Sequence, residues 1–369
     1  MHPLLESLRS FNKPTNGLEY QHAVVKTLKE ALENTGASVQ LQDFKAPKSF
    51  GVIVWWGVLV LILLLVLAPV FRYIDLVFLL IWVIWIYNFI AGKATPFTKL
   101  PPLVDVQNVI GHCGRNNAKA KVIILANYDT ATAVLSQTKH TKLGYLVFML
   151  LVGVATATAV NEVLFPNQDY LFWIKHGLIL YFLGQALVIS FGKRASDGDN
   201  LFGVVAAFEV FKYLKGCNLE NVEVDVVFSG AAQVNGAGAY CYAELNRAKM
   251  LKQPTLLLNF DGIDAETLKI ANQTGIIERY VYDNLLTNTA IQLTANDARF
   301  KNVALGEAQV FGSESVWFHQ IGIPCLTLTA ANKGVTPQKG VGAQAEISLR
   351  LAIELATETL RLSLLSLKI

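Results

Sequence analysis

Polar and apolar positions along this chain fall into three patterns. The first is the short, continuous, β-branched run bounded by polar residues, which marks a strand buried on both faces. Lys121 to Ala126 is one; Thr255 to Phe260 reads as another buried strand, and Val222 to Phe228 and Ile323 to Leu328 as further strands. Ala37 to Phe44 alternates like a half-exposed strand, Asp105 to Gly111 reads as an edge strand, and Thr267 to Ala271 as a short one. The second pattern has helical spacing. Leu18 to Leu32 carries it up to the stop Asn34-Thr35-Gly36, and Leu201, Val204, Val205, Phe208 and Phe211 form one apolar face. Gly236 to Leu245, Ile276 to Leu286, Gly312 to Gln320 and a closing helix over Ala343 to Leu365 follow. Strands alternating with helices predict a three-layer α/β sandwich.

The third pattern is the long uncharged apolar run. Ser49 to Phe71 and Leu76 to Gly92 are joined by Arg72-Tyr73-Ile74-Asp75, and Leu143 to Val160 and Tyr170 to Phe191 by a polar turn. Runs of this length match a bilayer core of ~30 Å, and predict two inserted transmembrane hairpins, four helices in all. A buried helical hairpin of a large core is the alternative. Lys175 and His176 would lie at the interfacial end of their helix or line a cavity. The resulting division is a discontinuous α/β domain (1–48, 93–142, 192–369) carrying hairpins at 49–92 and 143–191.

Composition adjusts this picture. The chain has 369 residues, is 53% hydrophobic and only 16% charged, and carries a formal charge of +3. No dense basic stripe with interleaved aromatics is present, which argues against nucleic-acid binding. Cys113, Cys217, Cys241 and Cys325 are scattered, so they read as free thiols in a reducing compartment. Met1 to Ser49 lacks the apolar core of a secretory signal. Lys45, Lys48, Lys93, Lys99, Lys139, Lys142, Lys193 and Arg194 flank the long runs on one side. The positive-inside rule then predicts an integral protein of the cytoplasmic membrane, its soluble domain in the cytoplasm.

Candidate chemistry collects where parallel strands end, since open α/β sheets place their sites at carboxyl ends. Asn127 and Asp129, Asp197 and Asp199, Ala231 and Ala232, Asp261, and Glu314 and Ser315 should converge there. Asp199 or Asn200 is placed to cap the helix that starts at Leu201.

In this order the elements resemble family twenty-eight of the metallopeptidases, the dizinc aminopeptidases. Val122 to Asp129 is similar to the family's strand ending in His-x-Asp, and Asp199-Asn200-Leu201-Phe202-Gly203 to its Asp-Asn-x-x-Gly helix start. Phe228 to Tyr240 is similar to its strand, Glu-Glu loop and Gly-Ser-x-x-Tyr helix. Leu257 to Asp261 is similar to the strand that ends in a liganding Asp, and Ser313 to Pro324 to Asp-His-x-x-Phe with Gly-Ile-Pro. The resemblance implies Asp199 as the metal-bridging carboxylate, Asp261 as a terminal ligand, and Asp129 as the residue that orients the first histidine. That histidine is replaced by Asn127 and the last one by Ser315. The catalytic Glu and its liganding neighbour are replaced by Ala231 and Ala232.

Asn and Ser are poor zinc ligands and Ala is none. The remnant positions Asn127, Asp199, Ala232, Asp261 and Ser315 are therefore expected to hold no zinc, and Asp129 and Ala231 to mark a site without catalysis. Asp197 and Glu314 are substitute carboxylates, and an all-carboxylate set would suit Ca²⁺ or Mg²⁺ better. Lys193, Arg194 and Asn127 would offset their repulsion. His319 and Cys325 lie near the loops without a nucleophile motif around them. The expected function is a non-catalytic binding or scaffold subunit of a membrane complex, like the family's relatives nicastrin, nicalin and the attachment subunit of the GPI transamidase. Its partners would be a peptide or protein terminus in the cleft, and a membrane protein or second copy on the Gly153, Ala155, Ala157, Ala159 face. The alternatives are a membrane-anchored metallo-aminopeptidase with an atypical site, which would need zinc, and a small transporter component.

Overall fold

The computed structural model describes residues 2–10, 17–67, 72–115, 118–129, 153–154, 156–158, 160–161, 169–191, 200–232, 234–263, 267–275, 277–308, 313–330 and 341–369. The chain forms two compact units: Met1–Lys45, Asp105–Thr132 and Ser196–Ile369 make the first, Ala46–Val104 and Ala133–Ala195 the second.

The first unit is built on a nine-stranded sheet. Its strands are β1 (Ser38–Pro47), β2 (Leu103–Cys113), β3 (Ala120–Asn127), β4 (Val222–Ser229), β5 (Thr255–Asp261), β6 (Leu268–Thr274), β7 (Tyr280–Val281), β8 (Ala304–Glu307) and β9 (Cys325–Ala330). The order is β1-β2-β4-β3-β5-β9-β6-β7, with β8 pairing β6. Four strands form the parallel centre: β3 pairs β4 with Val122 opposite Val224, and β5 with Ile123 opposite Leu257, while β5 pairs β9 with Leu257 opposite Cys325. Burial on both faces is why β3 and β5 lack alternation; β4 alternates, and its Glu223 and Asp225 are buried against Lys121. The segment expected at the sheet edge, β2, lies instead between β1 and β4, antiparallel to β4.

Successive residues of these strands feed two cores. Val122, Ile124, Val224 and Val226 pack with Leu4 and Leu8 of α1 (Pro3–Ser10), Leu28 of α2 (Gly17–Asn34), Val204 and Phe211 of α6 (Leu201–Gly216) and Leu355 of α10 (Val341–Ser366). Ile123, Leu125 and Val227 pack on the opposite face with Tyr242 of α7 (Ala237–Met250) and Phe318 of the one-turn α9 (Val316–His319). Two apolar layers around one sheet make the expected three-layer sandwich. The helix expected over Ile276–Leu286 is not formed. Gly275 at φ +101 turns the chain into β7, and α8 runs from Leu285 to Asn296. Asn284 caps it, its side chain accepting from the Leu286 and Thr287 amides.

The second unit contains α3 (Phe50–Leu67), α4 (Arg72–Ile90) and α5 (Asp169–Phe191). Their sequences are apolar all round rather than on one face, so Leu63, Phe78, Ile84 and Trp173 remain exposed while Leu61, Leu79 and Phe182 are buried. The expectation of four transmembrane helices is corrected here. Among the described residues no helix is long and apolar enough to cross a membrane. At 1.5 Å per residue α3 and α4 reach only ~27 and ~29 Å, and α4 takes Arg72 and Asp75 into its first turn. In α5, Asp169, Lys175 and His176 leave a shorter uncharged stretch. The integral-membrane assignment and the cytoplasmic localisation that rested on these spans are withdrawn with them. Most of Leu143–Val160, including Ala155 and Ala159, lies outside the described residues.

Candidate functional site

The parallel strands deliver their carboxyl ends to one edge of the first unit. β3 ends in Asn127, followed by Tyr128 and Asp129; β4 ends in Ser229, followed by Gly230, Ala231 and Ala232; β5 ends in Asp261. Asp197, Asp199, Lys193 and Arg194 lie outside the described residues.

The turn after β4 is held by the strand beside it. Asn108 of β2 accepts from the Gly230 amide at 3.1 Å and donates to the Gly238 carbonyl at 2.9 Å. A Cβ on Gly238 would overlap the Gly230 backbone. The clamp leaves Ala231 at φ 55, a left-handed conformation unusual for alanine, and turns the Ala232 amide onto Asp129, 2.7 Å from Oδ2. Asp129 is only 6% exposed, and its Oδ1 is buried without a hydrogen bond to the described residues. Burial pushes this carboxyl up to about 7 against the amides of Ala232 and Ala231.

Glu314 is the second buried carboxyl. Ser229 Oγ lies 2.8 Å from both of its oxygens, and the side chain is 7% exposed. Burial pushes it up to about 8; Ser229 works against the shift, and the charges of Asp261 and Asp129 add to it. Two buried carboxyls, both pushed well above the usual carboxylate range, therefore share this edge, and such groups cluster at functional sites.

The amides and hydroxyls here are already engaged. Asn200 does not cap α6: its Nδ2 donates to Asn127 Oδ1 at 2.8 Å and to the Phe260 carbonyl at 2.7 Å, and its Oδ1 accepts from the Gly262 amide at 2.7 Å. Gly203 leaves room for that amide, which a Cβ would overlap. Ser315 Oγ lies 2.7 Å from Tyr282 Oη and 2.9 Å from both Thr327 Oγ1 and Ser313 Oγ, and Asn259 Nδ2 donates to Ser313 at 2.7 Å. His319 is half-buried beside the rings of Tyr280 and Tyr282, 6.0 and 5.4 Å between centroids. Cys325 is buried in β9, and burial pushes its thiol far above the usual range. Sequence reasoning missed Ser229, Tyr282, Ser313 and Thr327, whose hydroxyls meet only through the fold.

It also missed a second polar cluster, at the opposite edge. Lys121 of β3, 1% exposed, donates to Glu223 at 2.9 Å and Asp225 at 2.5 Å. His112 Nδ1 lies 2.7 Å from Asp225, Lys249 donates to Glu223 at 2.5 Å, and Tyr242 donates to Asp225 at 2.5 Å. Burial works to raise Asp225, but the His112 hydrogen bond and the Lys121 ammonium hold it at about 2.

With this geometry in hand, comparisons with known proteins can be placed. An aminopeptidase from Aneurinibacillus sp. strain AM-1 superposes with TM-score 0.52 at 11% identity, covering 96% of this chain and 92% of that one. The chain has an aminopeptidase-like fold. A zinc aminopeptidase from Bacillus subtilis gives 0.52 at 12% identity over 97% and 93%. A glutaminyl cyclase of an Acidobacteriales bacterium gives 0.51 at 14% over 98% and 93%. No protein-family model and no curated protein matches the sequence.

Zinc aminopeptidases among the neighbours imply zinc, and the described residues of the carboxyl edge do not fit it. Asp129, Asp261 and Glu314 do not form a trio whose ligand atoms all lie within 4.8 Å of one another; among the described residues only His112, Glu223 and Asp225 do so. Asn127 and Ser315 are committed to Asn200 and the hydroxyl network, and Ala231 and Ala232 offer no side-chain donor. At the other edge, the Lys121 ammonium already bridges Glu223 and Asp225, where a cation would otherwise sit.

Proposed function

We propose that this chain binds the amino-terminal end of a peptide at the carboxyl edge of its sheet and does not cleave it. The observation that carries this reading is the pairing of Asp129 with the Ala232 amide, at the turn where a hydrolase of this fold needs a carboxylate base. Hydrolysis requires a group that removes a proton from water; Ala231 and Ala232 supply none, Asp129 is engaged by the Ala232 amide, and Glu314 by the Ser229 hydroxyl. What remains among the described residues is a buried carboxyl pair, Asp129 and Glu314, with no paired cation and with one oxygen unpartnered. A peptide ammonium is the charge complement of such a pair, and a charge-assisted hydrogen bond to Asp129 Oδ1 would satisfy it. Neighbouring carboxyls suit an ammonium better than a second anion, which they would repel.

The test is calorimetric titration of the full chain with a tetrapeptide bearing a free amino terminus and with its acetylated form. The free form should bind at least ~10-fold more tightly, about 1.4 kcal/mol. Asp129→Asn with Glu314→Gln should abolish the difference. Equal affinity for the two peptides would overturn the reading.

A further inference from the structure

A cavity of about 920 Å³ lies at the amino edge of the same sheet, between the end of α2, the end of α6 and the turn after β2. Its floor is apolar: Phe208, Val222 and Val224 line it, all buried. Its rim is cationic. Arg115, Lys212 and Lys215 line it, and Glu220 is the only carboxylate among its described lining residues. The Lys215 ammonium is held by the Thr35 carbonyl, a neutral partner that leaves its charge uncancelled. Lys212 is 60% exposed and lies 3.6 Å from Glu209. The Arg115 guanidinium is exposed and has neither ion pair nor hydrogen bond to the described residues.

His112 completes the rim, and here the buried cluster acquires a second consequence. Its Nδ1 faces an Asp225 carboxylate that Lys121 keeps ionised, so Nδ1 carries the proton and Nε2 has no hydrogen bond to the described residues. Cys113 also lines the cavity, but burial pushes its thiol up to about 11, so the site offers no thiolate chemistry.

We propose that this cavity binds a phosphorylated small molecule of the nucleotide class, its phosphates against Arg115, Lys212 and Lys215 and its ring on the apolar floor. The volume falls within the ~300–1,000 Å³ of small-molecule sites. An Arg fork matches phosphate oxygens two at a time, and lysines add point charges. A purely inorganic anion would leave the apolar floor uncovered; an uncharged ring would leave the cations unmatched. The inference is independent of the peptide reading, since the two sites lie at opposite ends of the strands.

The experiment is calorimetry of the full chain with ADP, adenosine and inorganic phosphate. ADP should bind saturably, phosphate should compete at higher concentration, and adenosine should bind at least 10-fold more weakly than ADP. Arg115→Ala should weaken ADP about 10-fold, and Arg115→Lys should recover part of that loss. Arg299→Ala, an exposed site outside the cavity, should leave ADP affinity unchanged. Arg115 is exposed, and an unchanged urea midpoint would confirm that its variants fold. No saturable ADP binding, equal affinity for adenosine, or an Arg115→Ala variant that binds like the parent would overturn the proposal.

Discussion

The two edges of one sheet bury the same kind of group and treat it oppositely. At the amino edge, Glu223 and Asp225 meet the ammonium groups of Lys121 and Lys249 and the His112 ring, and Asp225 is held at about 2. At the carboxyl edge, Asp129 and Glu314 meet an amide and a hydroxyl, and are pushed up to about 7 and about 8. Burial raises a carboxyl at both ends; only matched cations reverse the shift. One edge therefore carries its own cations, although Glu223 Oε2 is buried without a hydrogen bond among the described residues. At the other, no cation among the described residues pairs with Asp129 or Glu314, and a cationic ligand would supply one.

Among single substitutions, removing the cation from the amino edge should have the largest effect. Lys121→Met leaves Glu223 and Asp225 buried with less compensation, and breaking a buried pair from one side costs about 3–5 kcal/mol. Urea unfolding at pH 7 measures it. A loss below about 1 kcal/mol would mean that the cluster is solvated and that the contrast between the edges is false.

The pH dependence of stability sharpens the contrast, because the two edges carry opposite signs. Asp225 is depressed below its unfolded value, so its contribution is present above about pH 4 and is lost as pH falls through about 2. Asp129 and Glu314 are raised above theirs, so their contribution is full below about pH 4 and is lost as pH rises through about 7 and about 8. With about 2 pH units at Asp129 and about 3 at Glu314, the protein should therefore lose on the order of 7 kcal/mol between pH 5 and pH 9, and Asp129→Asn with Glu314→Gln should flatten that slope. Denaturant titrations across this range check it; a slope that the double variant leaves intact would assign the loss elsewhere.

The layers and the strand-end positions of the site were legible because β-branched runs such as Val122 to Ala126 can be satisfied only between two packed faces. Asp129 and Glu314 were visible as carboxyls at strand ends or in nearby loops, but their protonation was not, since it depends on which neutral groups surround them. Asn200 read as a helix cap from its position. The fold instead gives its amide three partners from β3, the end of β5 and the turn after it, contacts that no local spacing encodes. Lys121 looked like the polar start of a strand and turned out to be its most deeply paired charge, because register places it opposite Glu223. The long apolar runs misled for a related reason. Uniform hydropathy specifies a helix without a polar face, and does not specify what that helix crosses or packs against.

In the proposed reading, the carboxyl edge of this aminopeptidase-like fold binds a peptide and does not hydrolyse it. The most direct measurement is to equilibrate the purified full chain with zinc, remove unbound metal, and assay it on aminoacyl-anilides and amino-terminal glutaminyl peptides alongside elemental analysis. The account predicts no stoichiometric zinc at this edge and no turnover above buffer. Stoichiometric zinc with turnover that Asp199→Ala abolishes would contradict it.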